Sequence, residues 1–316
     1  MRRFFEDRGV LEVETPLLCE AGAVDEHLDP VPVDLHSGGP LGPVRRRYLA
    51  TSPEHSMKRL LVGGSGPIYQ VTRAFRDGER GRLHNPEFTI LEWYRPGWDH
   101  LRLMDEVEEL IRGVFLEAEG GAPEDLRREA ARPFERVAYR EAFLRALGVD
   151  PFRSTVGDLT QAARGQGIAA SSAPREEDRD GILNLLLAAA VEKQLGYGRP
   201  AFLMDYPPSQ AALARVKEGE PPVAERFELY VRGIELANGY HELLDPLEQE
   251  RRFADANEKR RAAGKAELPM DRRFLEALRA GMPSCAGVAM GLDRVLMLAV
   301  GGSSIDDVLT FPIDRA

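Results

Sequence analysis

A chain of 316 residues, 43% hydrophobic and 30% charged, is long enough to bury a substantial core. It has no apolar run near the ~18 residues that a membrane helix needs, and acids stand in its opening MRRFFEDRGVLEVETP where a secretory leader is apolar. A net charge of −10 argues against non-specific nucleic-acid binding, which needs clustered Lys and Arg, although local basic patches stay open.

In chain order, residues 1–8 read as the end of a helix closed by Gly9, and VLEVETP as a short strand ending at Pro16. Cys19 and Cys285 match no metal or redox spacing and read as reduced thiols of a cytoplasmic protein. Residues 30–48, rich in Pro and Gly, read as a surface hairpin or loop. A helix from Ser52 or Pro53 carries Met57, Leu60 and Leu61, and GGSGP at 63–67 is a tight turn. Strands are expected over 67–76 and 87–95. Asp99 then caps a helix with Leu103, Val107, Leu110 and Val114 at helical spacing.

Residues 117–200 change to charged helices with Gly and Pro joints, a helical insertion within one catalytic domain of residues 1–316. Strand-like sequence returns at 200–206 and 226–244, with Asn238-Gly239 as the expected turn. A charged helix covers 246–264, and GVAMGLDRVLMLAVGG is a Gly-rich strand turning into an apolar helix. Strands that return late to complete an earlier hairpin give an α+β fold, a mainly antiparallel sheet flanked by helices.

The chemistry concentrates in three clusters. In 73–94, RAFRDGERGRLHNPEFTILEWY, alternation puts Phe88, Ile90, Glu92 and Tyr94 on one strand face. The loop before them offers Arg76, Arg80, Arg82 and His84 to a polyphosphate. In FELYVRGIELANGYHELLD, Glu228, Glu235 and Glu242 stand among apolar residues, where a carboxylate needs a metal, an ammonium group or, on an edge strand, solvent. In 287–294, small residues let a ligand approach the backbone and Arg294 opens a helix, either to meet a nucleotide or to form a salt bridge with Asp293 or a neighbour. The phosphate loop, the dinucleotide fingerprint and the H-E-x-x-H zinc motif are absent from the sequence.

In order, these clusters resemble the three motifs of class II aminoacyl-tRNA synthetases. RGVLEVETP at 8–16 is similar to the first, the HNPEFTILEWY run to the second and GVAMGLDR to the third. TSPEHSMKRLL, HNPEFT and ELANGYHEL resemble the lysyl-tRNA synthetase branch. FEDRGVLEVETP, LEWYRP and SQAALA at 209–214 resemble the stand-alone lysine ligases of elongation factor P within it. The first motif begins at residue 8, so the expected core lacks an anticodon-binding domain.

The resemblance implies an ATP-dependent enzyme that uses Mg2+, activates (R)-β-lysine and attaches it to a lysine of elongation factor P. It implies a homodimer formed through the first motif and no stable tRNA binding. The other readings are a lysyl-tRNA synthetase-like enzyme acting on tRNA, and a non-catalytic amino-acid sensor.

Carried over residue by residue, Arg76 and Arg294 are catalytic. Arg76 contacts the α-phosphate, His84 the outer phosphates, and Phe88 and Arg294 the two adenine faces. Asp77, Gly78, Asn85, Glu235, Leu236 and Gly291 border the nucleotide, and Glu228 and Glu235 hold magnesium. Ser52, Pro53, Glu54, Glu92, Tyr94, Asn238 and Glu242 line the amino-acid pocket. Ala289 stands where lysyl-tRNA synthetases have glycine and shapes that pocket toward β-lysine. The chain departs from the second motif's Arg-x-Glu, reading Arg76-Asp77-Gly78 with the acid one place later at Glu79.

Overall fold

The computed structural model describes residues 1–36, 38–39, 42–117, 121–168 and 178–316. These form two compact units, Met1–Trp98 with Leu243–Ala316, and Asp99–Glu242. Parts of two expected elements, 37 and 40–41 of the hairpin and 118–120 and 169–177 of the insertion, lie outside the described residues.

In the first unit, the helix Arg2–Glu6 ends before Gly9, whose φ of +64° is the left-handed stop expected there. Leu11–Glu12 pairs parallel with Ile68–Phe75, which pairs antiparallel with Glu87–Pro96, and that strand with Cys285–Gly291. Behind these strands Phe5 stacks on Tyr69 at 4.4 Å and meets Trp93 edge-on at 5.4 Å. All three rings are buried, each contributing about 1.5–3 kcal/mol. The hairpin expected over 30–48 is Pro32–His36 against Val44–Leu49, completed by Leu18–Cys19. Helix Glu54–Val62 buries Met57 and Leu61, while Leu60 faces out. It packs on Arg272–Gly281, where His55 stacks on Phe274 at 4.3 Å. Sequence reading missed that second helix, because only Phe274, Leu275 and Leu278 mark its buried face.

In the second unit, the Asp99 carboxylate accepts from the Arg102 amide at 2.8 Å and caps His100–Glu117. Val223–Val231 lies between Ile234–His241 and Ala201–Tyr206, antiparallel to both. Helices Tyr139–Leu147, Val156–Gly165 and Arg179–Leu186 bury Phe143, Leu159 and Leu183 in one core. The expected helical insertion also holds a strand, Glu135–Ala138, parallel to Ala201–Tyr206. Four residues are too few to show a period of two.

The turn expected at Asn238-Gly239 is elsewhere. Arg232 and Gly233, at φ +54° and +72°, make it, the paired left-handed residues of a tight hairpin. Asn238 and Gly239 lie within the strand, opposite Glu228 and Phe227. Local preference favoured Asn-Gly, but apolar pairing along both strands sets the register. The α+β expectation, mainly antiparallel strands with helices, holds in each unit. No helix among the described residues is long and apolar enough to cross a membrane.

Candidate active site

In the first unit, register places Gln70, Glu92 and Ala289 side by side across three strands, on one face. Glu92, 2% exposed, accepts from Tyr94 Oη at 2.6 Å and from Ser52 Oγ at 3.1 Å. Pro53 precedes the helix, and the Glu54 amide donates to Ser52 Oγ at 3.0 Å, so the helix entry fixes the hydroxyl. Lys58 Nζ, buried, donates to Glu54 at 2.6 Å. Burial and the neighbouring Glu54 push the Glu92 carboxyl up to about 8, against the hydrogen bonds from Tyr94 and Ser52 and the charge of Lys58. Gln70 accepts from Thr15 Oγ1 at 2.9 Å, but its Nε2 is buried without a partner. A buried carboxyl suits an ammonium group in chemical terms, while the orphaned Gln70 Nε2 is a donor and suits a ligand acceptor beside it.

Four expected cations lie in or next to the loop between the two strands. Arg76 sits 5.0 Å from the centroid of the Phe88 ring, with its Nε buried and unpartnered. Gly78 has φ +75°, so the position demands a residue free to be left-handed, and Glu79 brings its carboxylate to 3.8 Å from the Arg76 guanidinium. The displaced acid of the second motif therefore reaches the same arginine. The Asp77 amide donates to Asp29 O at 2.7 Å, which anchors the start of the loop.

His84 Nε2 accepts from Arg294 at 2.7 Å, and Arg294 Nε donates to Leu83 O at 3.2 Å. Burial, Arg294 and Arg76 hold the imidazole below its ordinary value, which keeps Nε2 an acceptor. Asp293, one of the partners that the alternative reading offered Arg294, is engaged with the strand instead. Its carboxylate accepts from the Thr89 amide at 2.6 Å and fixes the strand beside Phe88. Gly291 is not forced by space, since a methyl there would meet Arg294 only at an ordinary 3.8 Å.

The structure does not leave Arg80 and Arg82 to a polyphosphate. Arg80 pairs with Asp306 at 2.9 Å and Asp314 at 2.7 Å, and Arg82 donates to Ser303 O at 2.9 Å. Asn85 is likewise held by the protein, donating to Glu87 O at 2.7 Å and accepting from the Ile313 amide at 3.0 Å. Residues 303–315 thus brace the loop.

In the second unit, the hairpin's register shift at Leu229/Tyr230 sets Glu235 opposite Tyr230 and Asn238 opposite Glu228, all on one face. Glu228 is not on a solvated edge. It is 6% exposed, and its Oε2 accepts from Tyr206 and Tyr230, each at 2.5 Å, while Oε1 accepts from Arg226. Burial and Glu228 push both phenols well up. Burial alone would lower Arg226, but Glu228 holds it above its ordinary value. A carboxylate has about four acceptor positions, so Glu228 keeps one, on Oε1, for a metal. Glu235 is half-buried, Leu236 is buried, and Glu242 is fully buried at 0%. Asn238 Oδ1 is buried and unpartnered, which suits a ligand that donates to it.

Each expected residue thus falls in one of two sets, the first in the Met1–Trp98 and Leu243–Ala316 unit and the second in the Asp99–Glu242 unit. Lys58 and Gln70 were missed. A lysine buried at helical spacing from Glu54 was the available signal for the first, and none marked the second.

The family described as tRNA synthetases class II (D, K and N) matches residues 1–315. A relative in Edwardsiella ictaluri is 48% identical over 317 residues, spanning 100% of this chain and 92% of the relative. Relatives in Salmonella arizonae and Salmonella typhi are 46% identical over 320 and 316 residues, with the same shares. All three carry the name elongation factor P–(R)-β-lysine ligase.

Proposed function

Because the chain belongs to the class II tRNA synthetases (D, K and N), we propose that it is an ATP-dependent ligase for elongation factor P. It activates (R)-β-lysine as the adenylate and transfers it to a lysine side chain of that factor. The full-length likeness to relatives of that name supports the reading. One geometric observation carries it, the buried Glu92 carboxyl held by Tyr94 and Ser52. A substrate ammonium turns that costly group into a hydrogen-bonded ion pair.

In the first step a substrate carboxylate oxygen attacks the α-phosphorus of ATP, and the bond to pyrophosphate breaks. Arg76 meets the charge that develops there, stabilising the transition state beyond the ground state. His84 and Arg294 orient the outer phosphates, and Phe88 and Arg294 hold the adenine. Asp77, Gly78, Gly291 and Leu236 border the nucleotide, and Asn85 acts through the segment that it staples. Glu235 and the remaining acceptor position of Glu228 fit a magnesium ion, which when bound neutralises polyphosphate charge. Ser52, Pro53, Glu54, Tyr94, Asn238, Glu242 and Ala289 receive the amino acid with Glu92. In the second step the neutral amine of the target lysine attacks the acyl carbon, AMP departs, and the attacking nitrogen releases one proton as the amide forms. The enzyme works in the cytoplasm as a two-fold dimer without stable tRNA binding.

Intact-mass spectrometry of elongation factor P tests this, after incubation with the protein, ATP, magnesium and either α-lysine or (R)-β-lysine. The expected result is a gain of one lysyl unit, dependent on ATP and greater with β-lysine. Pyrophosphate exchange without any mass gain would move the acceptor to tRNA or another molecule.

A further inference from the structure

On the opposite face of the same hairpin from Glu228 and Asn238, the second unit gathers a set of groups that the proposed reaction does not use. Arg226 and Tyr240 are register partners, so Glu225 and His241 form the next pair and project to the other face. His241 Nδ1 lies 2.7 Å from Glu225 Oε2, and the two side chains are 12% and 15% exposed. Against them stands His100, the first residue of His100–Glu117, its ring 6.2 Å from that of His241 at an interplanar angle of 25°. A ring nitrogen of each histidine and a Glu225 oxygen all lie within 4.8 Å of one another.

A His–Glu hydrogen bond with a bystander histidine accounts for only part of this. His100 is 5% exposed and its Nδ1 has no hydrogen-bond partner, a costly state for a buried polar group. Two imidazoles and one carboxylate are the three protein ligands of an open tetrahedral zinc site, with water as the fourth.

We propose that His100, Glu225 and His241 bind one divalent late-transition-metal ion, Zn2+ by the character of the donor set, which clips the start of the helix to the end of the hairpin. Bonds of about 2.1 Å set tetrahedral ligand atoms about 3.4 Å apart, so the three groups close in by side-chain rotation, and the ion replaces the proton between His241 and Glu225. Arg215, 3.8 Å from Glu225, and Lys217 offset the charges of Glu225 and Asp99. Nitrogen ligation rather than net charge therefore carries the affinity, and Mg2+ and Ca2+, which prefer oxygen, are poor competitors. His241 precedes Glu242 and faces the other way, so the clip steadies Glu242 from behind.

Chelator-treated full-length protein is refilled with Zn2+ or Co2+ in excess Mg2+ and dialysed. The expected result is one Zn2+ per chain by elemental analysis, a raised Tm, and visible ligand-field bands from Co2+. Glu225→Gln and His100→Gln, each checked for folding by circular dichroism, are expected to weaken binding more than about 100-fold, beyond the loss of an outer-sphere partner. Two variants keep the test alive if one of them does not fold. Wild-type protein with neither bound Zn2+ nor a Tm shift overturns the proposal, and so does equal retention by folded variants.

Discussion

Ala289 stands directly opposite Glu92 in the antiparallel register of Cys285–Gly291 and Glu87–Pro96. Paired side chains on one face have Cβ atoms about 4.5–5.5 Å apart, so the alanine methyl borders the space above the carboxyl. β-Lysine carries its amino group one carbon further along than α-lysine, and the methyl shapes that space. Ala289→Gly is expected to raise activation of α-lysine relative to β-lysine by about 10-fold or more, the scale of one methylene in a pocket. The ratio of the two in pyrophosphate exchange measures it, and an unchanged ratio refutes it.

Glu92 also makes stability depend on pH. Its folded value of about 8 lies above the ordinary 4.5, so between these the native state holds more protons than the unfolded one. Stability therefore falls as pH rises from 4.5 through about 8. Without substrate, the Tm of wild-type protein is expected to drop between about pH 6 and about pH 9. Glu92→Gln, an uncharged isostere, should flatten that slope and abolish amino-acid activation. Melts at the two pH values decide it, since an equal slope in the variant would assign the titration to another group.

Gly78→Glu restores the family's second-motif wording but forces a side chain into φ +75°. The substitution is expected to cost about 1–2 kcal/mol of stability without lowering the KM for ATP, because Glu79 already reaches Arg76. Chemical denaturation gives the first quantity and pyrophosphate exchange the second. A tighter KM would show that the motif needs its acid at 78 after all.

Tyr206→Phe removes one of the two phenols that donate to Glu228 Oε2. Hydrogen bonds to charged groups contribute about 1.5–3 kcal/mol, and a loss of that size is expected in urea unfolding. The effect should shrink in a Glu228→Gln background, where the acceptor is neutral, and a double-mutant cycle reads the coupling. Additive losses would mean that the phenol acts by packing alone.

Much of this was legible from local pattern. Alternation from Phe88 to Tyr94 fixed the face that carries Glu92, and Asp99 marked a helix start, because both effects act over a few residues. The rest depends on partners far away in sequence. Arg80 and Arg82 looked available until residues 303–315 met them, and Gln70 gained meaning only from lying across from Glu92. Asn238-Gly239 misled because a turn preference is local, whereas register belongs to both strands together.

The brace between Arg80 and the two carboxylates of Asp306 and Asp314 lies near the surface. Such pairs weaken as ionic strength rises, because counterions screen exposed charges over about 10 Å at 0.1 M salt. The loop that carries Arg76 and His84 is thus stiffened partly by an electrolyte-sensitive strut. Its order becomes a property of the buffer as well as of the chain, and nucleotide affinities from dilute and concentrated salt would describe loops of different stiffness.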